Sequence, residues 1–504
     1  MPFRTRIRLG LTCFGLLAAG SSCGGGGGGG GTPTLTVSPG TASVPMGGAA
    51  VTFTAKLSGS SNPISWALAG PGSISASSGS STLYTPPLAG SAPMSATLTA
   101  TAGAGLSAGA TIQITPPLPI TVSGRVIGIL SKPVAGAAVT LGAASAVSDS
   151  DGRFSFPNVT PPYDLSAVVT TPMRVGIVYQ GLRRPDPTIL LPGINTSPPY
   201  STTVTGEVTG GDPLGATDER TRLAFGSSGD FVLEALSGYT VQSNPYSLKM
   251  TWVGPSAATG TIHALQTKVD SGGLPIDFTG WASKTGVSVA NSGTASADIV
   301  LSAPQVSTIA GALTVPTPLS LLSKRLSIDF GDGASLDLAE VNDRTTSFSF
   351  PFPVVPGATA TMVVLASLSG SQSSVTLSGI APGTTNLDLQ FRIPTTPISP
   401  LNQATGVGLA TDFSWTSMPG TTYVLSVSAP AGPNYHVVTA ATSARIPDLT
   451  SQGLVLPKMV TYDWYVSAYG PSAAPDDLAS PSAFVLSGNA RFTGFSAQYQ
   501  FTTP

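Results

Sequence analysis

The sequence predicts an all-β chain, a tandem array of antiparallel β-sandwich modules, on three observations. Short runs rich in Val, Thr, Ile, Phe and Tyr alternate apolar with polar residues, and almost no stretch shows the 3.6-residue period of a helix. These runs are punctuated by 59 Gly and 45 Pro, as turns between many short strands require. The 504 residues include only 2 Cys, yet 41% are hydrophobic, so each module has to stand on an apolar core without disulfide staples.

The N-terminus reads as targeting, not as fold. Arg4, Arg6 and Arg8 precede an apolar run from Leu9 to Ala19, the layout of a secretory signal over 1–22. That run is far shorter than the ~20 residues of a membrane-spanning helix. Gly20-Ser21-Ser22-Cys23 resembles the lipobox of bacterial lipoproteins, although Gly20 stands where that box usually carries Leu. The resemblance implies acylation of Cys23 as a lipid anchor to the membrane. With Gly24 and not Asp beside it, it also implies an outer-membrane or cell-surface address. Gly24 to Gly31 then form a tether within 23–33, a flexible coil reaching on the order of 16 Å. Without the signal's three arginines, 19 basic and 24 acidic residues remain, a net charge of −5. Such a chain has no electrostatic footprint for nucleic acid.

Five modules follow. In 34–116, alternation runs through Val51, Phe53, Ala55 and Leu57, then Ile64, Trp66 and Leu68, then Ala96, Leu98 and Ala100. "TVSPGTASVPMGGAAVTFTAKL" and "ISWALAGPGSIS" resemble bacterial immunoglobulin-like domains, which makes Trp66 a core residue. In 118–200, "TVSGRV", "KPVAGAAVTL" and "SDSDGRFSFPNV" resemble the carboxypeptidase regulatory-like, transthyretin-like sandwich. That module accompanies peptidases without carrying their zinc or catalytic carboxylate. "SDSDGRF" reads as a tight turn, with Asp149 and Asp151 bonding local backbone and Gly152 at positive φ. A calcium loop is the competing reading, but the spacing places Asn158 where a bidentate Glu is required.

"TVTGEV" at Thr203 and "TIAGAL" at Thr308 echo "TVSGRV", with Gly124, Gly206 and Gly311 in matching places. Aromatic strands follow at Arg153, Asp230 and Ser347. Segments 201–305 and 306–396 are therefore expected to be β-sandwiches related to 118–200. After the Pro-rich hinge "RIPTTPISP", the run 397–504 resembles a fibronectin type III domain. Trp415 takes the place of its early core tryptophan, and "LPKMVTYDWYV" matches its tyrosine-corner strand, with Trp464 a further core residue. The resemblance implies that the Tyr462 hydroxyl bonds back to upstream backbone.

Chemistry is sparse. His263 and His436 lie in different modules, so neither supplies the three or four convergent ligands a zinc site needs. "GLSAG" at Gly105 matches a nucleophile-elbow pattern, but Ser107 falls in a hairpin between strands and not on a strand-to-helix turn. Asp329, Asp332 and Asp337 form a loop that binds a cation or simply turns. Pro475 to Asp477 reads as a solvated loop. No catalytic residue, metal or cofactor is expected. The expected function is a non-catalytic cell-surface or periplasmic lipoprotein that binds an extracellular glycan or protein. The alternative is a spacer subunit of an outer-membrane or secreted complex. A hydrolase would need acids or histidines converging in a cleft.

Expressed in a Gram-negative host, the wild type should label with radioactive palmitate and fractionate with membrane, and Cys23→Ala should do neither. Identical labelling and fractionation of the two would rule out the anchor.

Overall fold

Alternating β-branched and aromatic residues do form strands nearly throughout. The computed structural model describes residues 32–504, apart from 89, 91–92, 104, 195–198, 228–231, 234–238, 431, 473 and 483–490. The signal, Cys23, the glycines to Gly31 and most of the aromatic run at Asp230 lie outside the described residues. The chain divides into two units, 1–117 and 118–504.

In the first unit, strands Thr34–Ser38, Val51–Ser58, Ser81–Thr85 and Ser73–Ile74 form one four-stranded sheet. Thr41–Pro45, Leu106–Thr115, Met94–Ala102 and Ile64–Ala69 form the other. Phe53, Tyr84, Leu98, Ile112 and Ile114 fill the space between them. Trp66 joins that core at 4% exposure, and its Nε1 donates to the Gly79 carbonyl at 2.9 Å. Lys56 is the only charged residue from 34 to 116, so this sandwich is held together by apolar burial and backbone pairing.

The second unit repeats one plan three times. Its first seven strands are β1 (Ile120–Ile127), β2 (Ala138–Leu141), β3 (Ala144–Val147), β4 (Arg153–Val159), β5 (Tyr163–Val169), β6 (Val175–Leu182) and β7 (Thr188–Leu190). They make the sheets β3-β2-β5-β6 and β4-β1-β7. Seven strands of 201–305 correspond to these: β8 (Tyr200–Gly206), β9 (Glu219–Gly226), β10 (Tyr239–Val241), β11 (Tyr246–Val253), β12 (Ala257–Val269), β13 (Pro275–Ala290) and β14 (Thr294–Ser296), with the two-residue strands Val208–Thr209, Val232–Leu233 and Ile299–Val300 in addition. They pair as β10-β9-β12-β13 and β11-β8-β14. The third set is β15 (Gln305–Thr314), β16 (Ser320–Asp329), β17 (Ser335–Val341), β18 (Ser347–Val354), β19 (Thr359–Leu368), β20 (Ser371–Ile380) and β21 (Thr385–Gln390). These pair as β17-β16-β19-β20 and β18-β15-β21. The three sets share one strand order, and in each the last strand runs parallel to the first. The sandwiches are therefore mixed, where alternation alone predicts antiparallel pairing.

The recurring glycine explains itself here. Gly124, Gly206 and Gly311 sit opposite Phe154, Tyr246 and Phe348 in the antiparallel partner strand. A Cβ at each would overlap a carbonyl of the parallel neighbour, and the aromatic ring lies close over the same spot. Only glycine lets both neighbours approach.

The last module holds β22 (Pro397–Ser399), β23 (Phe413–Trp415), β24 (Thr422–Ser428), β25 (Asn434–Thr439), β26 (Ser443–Ala444), β27 (Thr461–Gly470), the short helix α1 (Pro475–Leu478), β28 (Arg491–Phe495) and β29 (Tyr499–Thr502). One sheet is β22-β23-β26 and the other runs β25-β24-β27-β28. The second does not end at its edges. β25 pairs in parallel with β6 over Val175–Tyr179, and β28 pairs antiparallel with β20 over Gln372–Thr376. A single 14-stranded sheet thus crosses three modules. Val438, Leu478 and Ala479 pack into the core of 118–200, and the cores of 306–396 and 397–504 are continuous.

Two expectations change. "RIPTTPISP" is not a free hinge, because Thr395 is buried with its hydroxyl donating to the Thr416 carbonyl at 2.7 Å, and β22 continues into the sheet. Pro475–Asp477 is not a solvated loop but part of α1, with Pro475 and Leu478 buried.

Trp415, Tyr462 and Trp464 are 2%, 0% and 0% exposed. Phe413 meets Trp464 edge-on at 5.1 Å, and Tyr462 stacks on Phe501 at 5.6 Å. The tyrosine-corner bond is absent: Tyr462 Oη is buried without a hydrogen-bond partner among the described residues. Gly432 abuts it so closely that a Cβ there would lie 2.6 Å from Oη. Removing an unpaired buried hydroxyl costs nothing, so Tyr462→Phe should leave stability unchanged or raise it by up to about 1 kcal/mol in chemical denaturation. A loss of ~1–3 kcal/mol would show that the hydroxyl is bonded in solution.

Candidate functional site

The best-furnished concavity lies on the outer face of β4-β1-β7. Period two turns Ser123 and Arg125 of β1 outward beside Arg153 and Ser155 of β4, while Val122, Phe154 and Phe156 face the core. Thr188 of β7, Asp186, Asp149 and Ser131 complete the rim. Together they line an open cleft of about 740 Å³. Pro481 of the last module also lines it, brought there by a bond from the Thr188 N–H to the Ala479 carbonyl at 2.7 Å.

The cleft offers donors and acceptors in balance. Arg125 Nε donates to the Asp151 carbonyl at 2.8 Å, and Arg153 Nη1 meets Asp151 Oδ2 at 2.9 Å. The Ser123 and Ser155 hydroxyls lie 3.1 Å apart. Asp186 pairs with Arg184, whose Nη1 also donates to the Asp476 carbonyl. Asp476 Oδ1 accepts the N–H groups of Arg183 and Arg184, both at 2.9 Å, which ties α1 to the connection between β6 and β7.

The Asp149–Asp151–Gly152 turn sits at one end of this cleft. Asp149 Oδ1 accepts the N–H groups of Asp151 and Arg153 at 2.9 and 2.8 Å, and Gly152 takes φ 75°. Asn158 stands in a left-handed conformation at a register shift of β4, not as a ligand to the turn. Arg125 holds the Asp151 carbonyl and Arg153 its Oδ2, so two like charges already beside the turn oppose a cation there.

The remaining candidates lie apart. Ser107 is exposed on strand Leu106–Thr115, opposite Thr101. His436, buried on β25, has Nδ1 3.1 Å from Ser426 Oγ, and burial pushes it down to about 4. His263 Nε2 meets Asp332 Oδ2 at 2.9 Å. In the same loop Asp329 accepts the Gly331 N–H, and Asp337 lies 3.9 Å from Arg325. These carboxylates turn the chain and bridge modules. Among the described residues no group of three or more His, Cys, Asp or Glu could hold a metal ion.

Sequence reading missed Lys324, whose side chain is 2% exposed on β16. Its Nζ bonds Asp343 and donates to Thr345 O and Oγ1 at 2.9 and 2.7 Å. A register shift between Leu321 and Ser323 turns it inward. The Lys324 ammonium holds the Asp343 carboxyl below its usual range. The signal was a lysine inside an otherwise apolar-alternating strand.

No protein-family model matches the chain, and no curated protein is similar to it. Among solved structures, the Bacillus anthracis TIE protein is 9% identical at a TM-score of 0.21, over 72% of this chain and 75% of that one. A streptococcal ancillary pilin is 8% identical at 0.15, over 54% of this chain and 98% of that one. A tetra-tandem repeat from the extending region of a large adhesion protein is 10% identical at 0.16, over 94% of this chain and 100% of that one. At these TM-scores the likenesses bear on neither function nor mechanism.

If the Asp149 turn is purely structural, melting curves in EDTA and in millimolar calcium should overlay. A bound ion at a hundredfold excess over Kd would add about 2.7 kcal/mol, several degrees in Tm. A calcium-dependent rise abolished by Asp151→Asn would establish a cation site.

Proposed function

We propose that the protein is a non-catalytic, exported binding protein, lipid-anchored through Cys23 at the outer membrane or cell surface. Its 118–504 body would present the β4-β1-β7 cleft to an extracellular glycan. One observation carries this reading. The cleft is built from one module and walled by another, and the two are locked by a shared sheet. Such pre-organisation suits recognition, because little side-chain or backbone ordering remains for the ligand to impose.

The lining favours a saccharide. Paired guanidiniums and paired hydroxyls on adjacent strands, with carboxylates at the rim, match the dense donors and acceptors of sugar hydroxyls. The volume lies in the range of small-ligand sites. Both histidines and the buried Lys324 are engaged elsewhere in structural bonds: His263 with Asp332, His436 with Ser426, Lys324 with Asp343.

A soluble fragment of residues 32–504, probed against glycan and peptide arrays, should retain glycans. Arg125→Gln and Arg153→Gln should each weaken retention about tenfold, ~1.4 kcal/mol, while circular dichroism stays native. Retention of peptides alone would defeat the glycan assignment. Retention of neither, with both variants unchanged, would favour a spacer role.

A further inference from the structure

The chain has two histidines, both are buried, and each lies at a seam between modules. Their surroundings differ in one respect that matters. His436 of β25 stands opposite Ile177 of β6, within the pairing that joins 118–200 to 397–504. Val438, on the same face, packs into the core of 118–200. The titratable groups on the elements packed against β25 are Tyr179 of β6, Tyr423 of β24, and Asp476 and Asp477 of α1. Neither carboxylate bonds the imidazole. Asp476 accepts the Arg183 and Arg184 N–H groups, and Asp477 accepts from Ser472 and Ala474.

His263 of β12 has the opposite setting. Its Nε2 lies 2.9 Å from Asp332 Oδ2, and its ring stacks on Phe330 at 4.1 Å. Asp332 and Phe330 belong to the turn between β16 and β17, so the contact crosses from 201–305 to 306–396. Other charged groups on the strands beside it are Glu219, Arg220 and Arg222 of β9 and Asp277 and Lys284 of β13. A carboxylate thus faces the His263 ring across its seam at 2.9 Å, whereas the His436 ring is bonded to the Ser426 hydroxyl and a charge placed on it has no counter-charge to meet.

We propose that the two seams form an acid-selective device, in which acidification opens the β6–β25 seam while the His263–Asp332 seam holds. The sign follows from linkage. Burial pushes His436 down from about 6.5 to about 4, so the opened form binds the proton more readily. Seam stability is full above pH 6.5 and declines as pH falls toward 4. Between pH 7.5 and pH 5 the open population rises about thirtyfold. Opening would also withdraw Ala479 and Pro481 from Thr188 and the cleft. That consequence rests on the cleft being the ligand site, whereas the opening itself does not.

Hydrogen exchange on the full chain at pH 7.5 and pH 5, corrected for intrinsic rates, reads each seam separately. Amides of β6 and β25 should lose about thirtyfold in protection, those of β12 and β16 should not, and His436→Gln should flatten the difference. Equal protection of β6 and β25 at both pH values, or an equal loss in every strand, overturns the proposal. So does a His436→Gln protein that keeps the full loss. If that variant fails to fold, a wild-type NMR titration decides, since two histidines give two imidazole signals. A native-state His436 signal titrating near 6.5 overturns the device, and one that stays neutral to near pH 4 supports it. Glycan release at pH 5 tests the cleft separately: a seam that opens without release counts against the cleft reading alone.

Discussion

Backbone pairing at two sheet edges governs this molecule. A sandwich module has exposed edge strands whose N–H and C=O groups invite further pairing. In the 118–504 unit the last module meets that demand on both sides at once. Its β25 takes the free edge of β6, and its β28 takes the free edge of β20. The chain therefore returns after three repeats and lays its final module between the first and the third. Without the first register, main-chain contact of the last module with 118–200 would shrink to bonds such as that from the Thr188 N–H to the Ala479 carbonyl. The buried positions of Val438, Leu478 and Ala479 in another module's core depend on that register as well.

The three repeats tolerate wide divergence because few positions define their plan. A glycine on the first strand allows a carbonyl of the parallel neighbour and an aromatic ring to close over the same spot. The rest is alternation, which many sequences satisfy. Differences accumulate in what each repeat does with its remaining polar groups. The first carries the Asp149 turn and the arginines of the cleft. The second sends His263 to its neighbour, and the third buries Lys324 against Asp343 and Thr345. A buried ammonium with four oxygen partners is a satisfied group, whereas removing one partner would leave a charge stranded.

The last module shows that a resemblance can place residues and still misassign a bond. Trp415, Tyr462 and Trp464 lie in its core, where aromatic packing is dense. The Tyr462 hydroxyl nevertheless ends against Gly432, and the Trp415 and Trp464 indole nitrogens are likewise buried without partners among the described residues. Packing area and hydrogen bonding are separate contributions. Here the first is large and the second is missing.

The sequence alone determined whatever depends on neighbours in the chain. Period-two alternation specified strands, Gly and Pro specified turns, and Asp149 with Gly152 specified a local turn whose bonds span four residues. In β25, "YHVVT" is buried on both faces because two cores cover it: Tyr435 and Val437 lie in that of the last module and Val438 in that of 118–200. Only the tertiary structure decided which strands lie side by side. Alternation encodes which face is buried but not which backbone lies alongside, since main-chain donors and acceptors are the same in every residue. The cleft could not be read for the same reason. Arg125, Arg153, Asp186 and Pro481 are hundreds of residues apart at the extremes, and they meet because a parallel register at Val175–Asn434 brings the last module back to the first repeat.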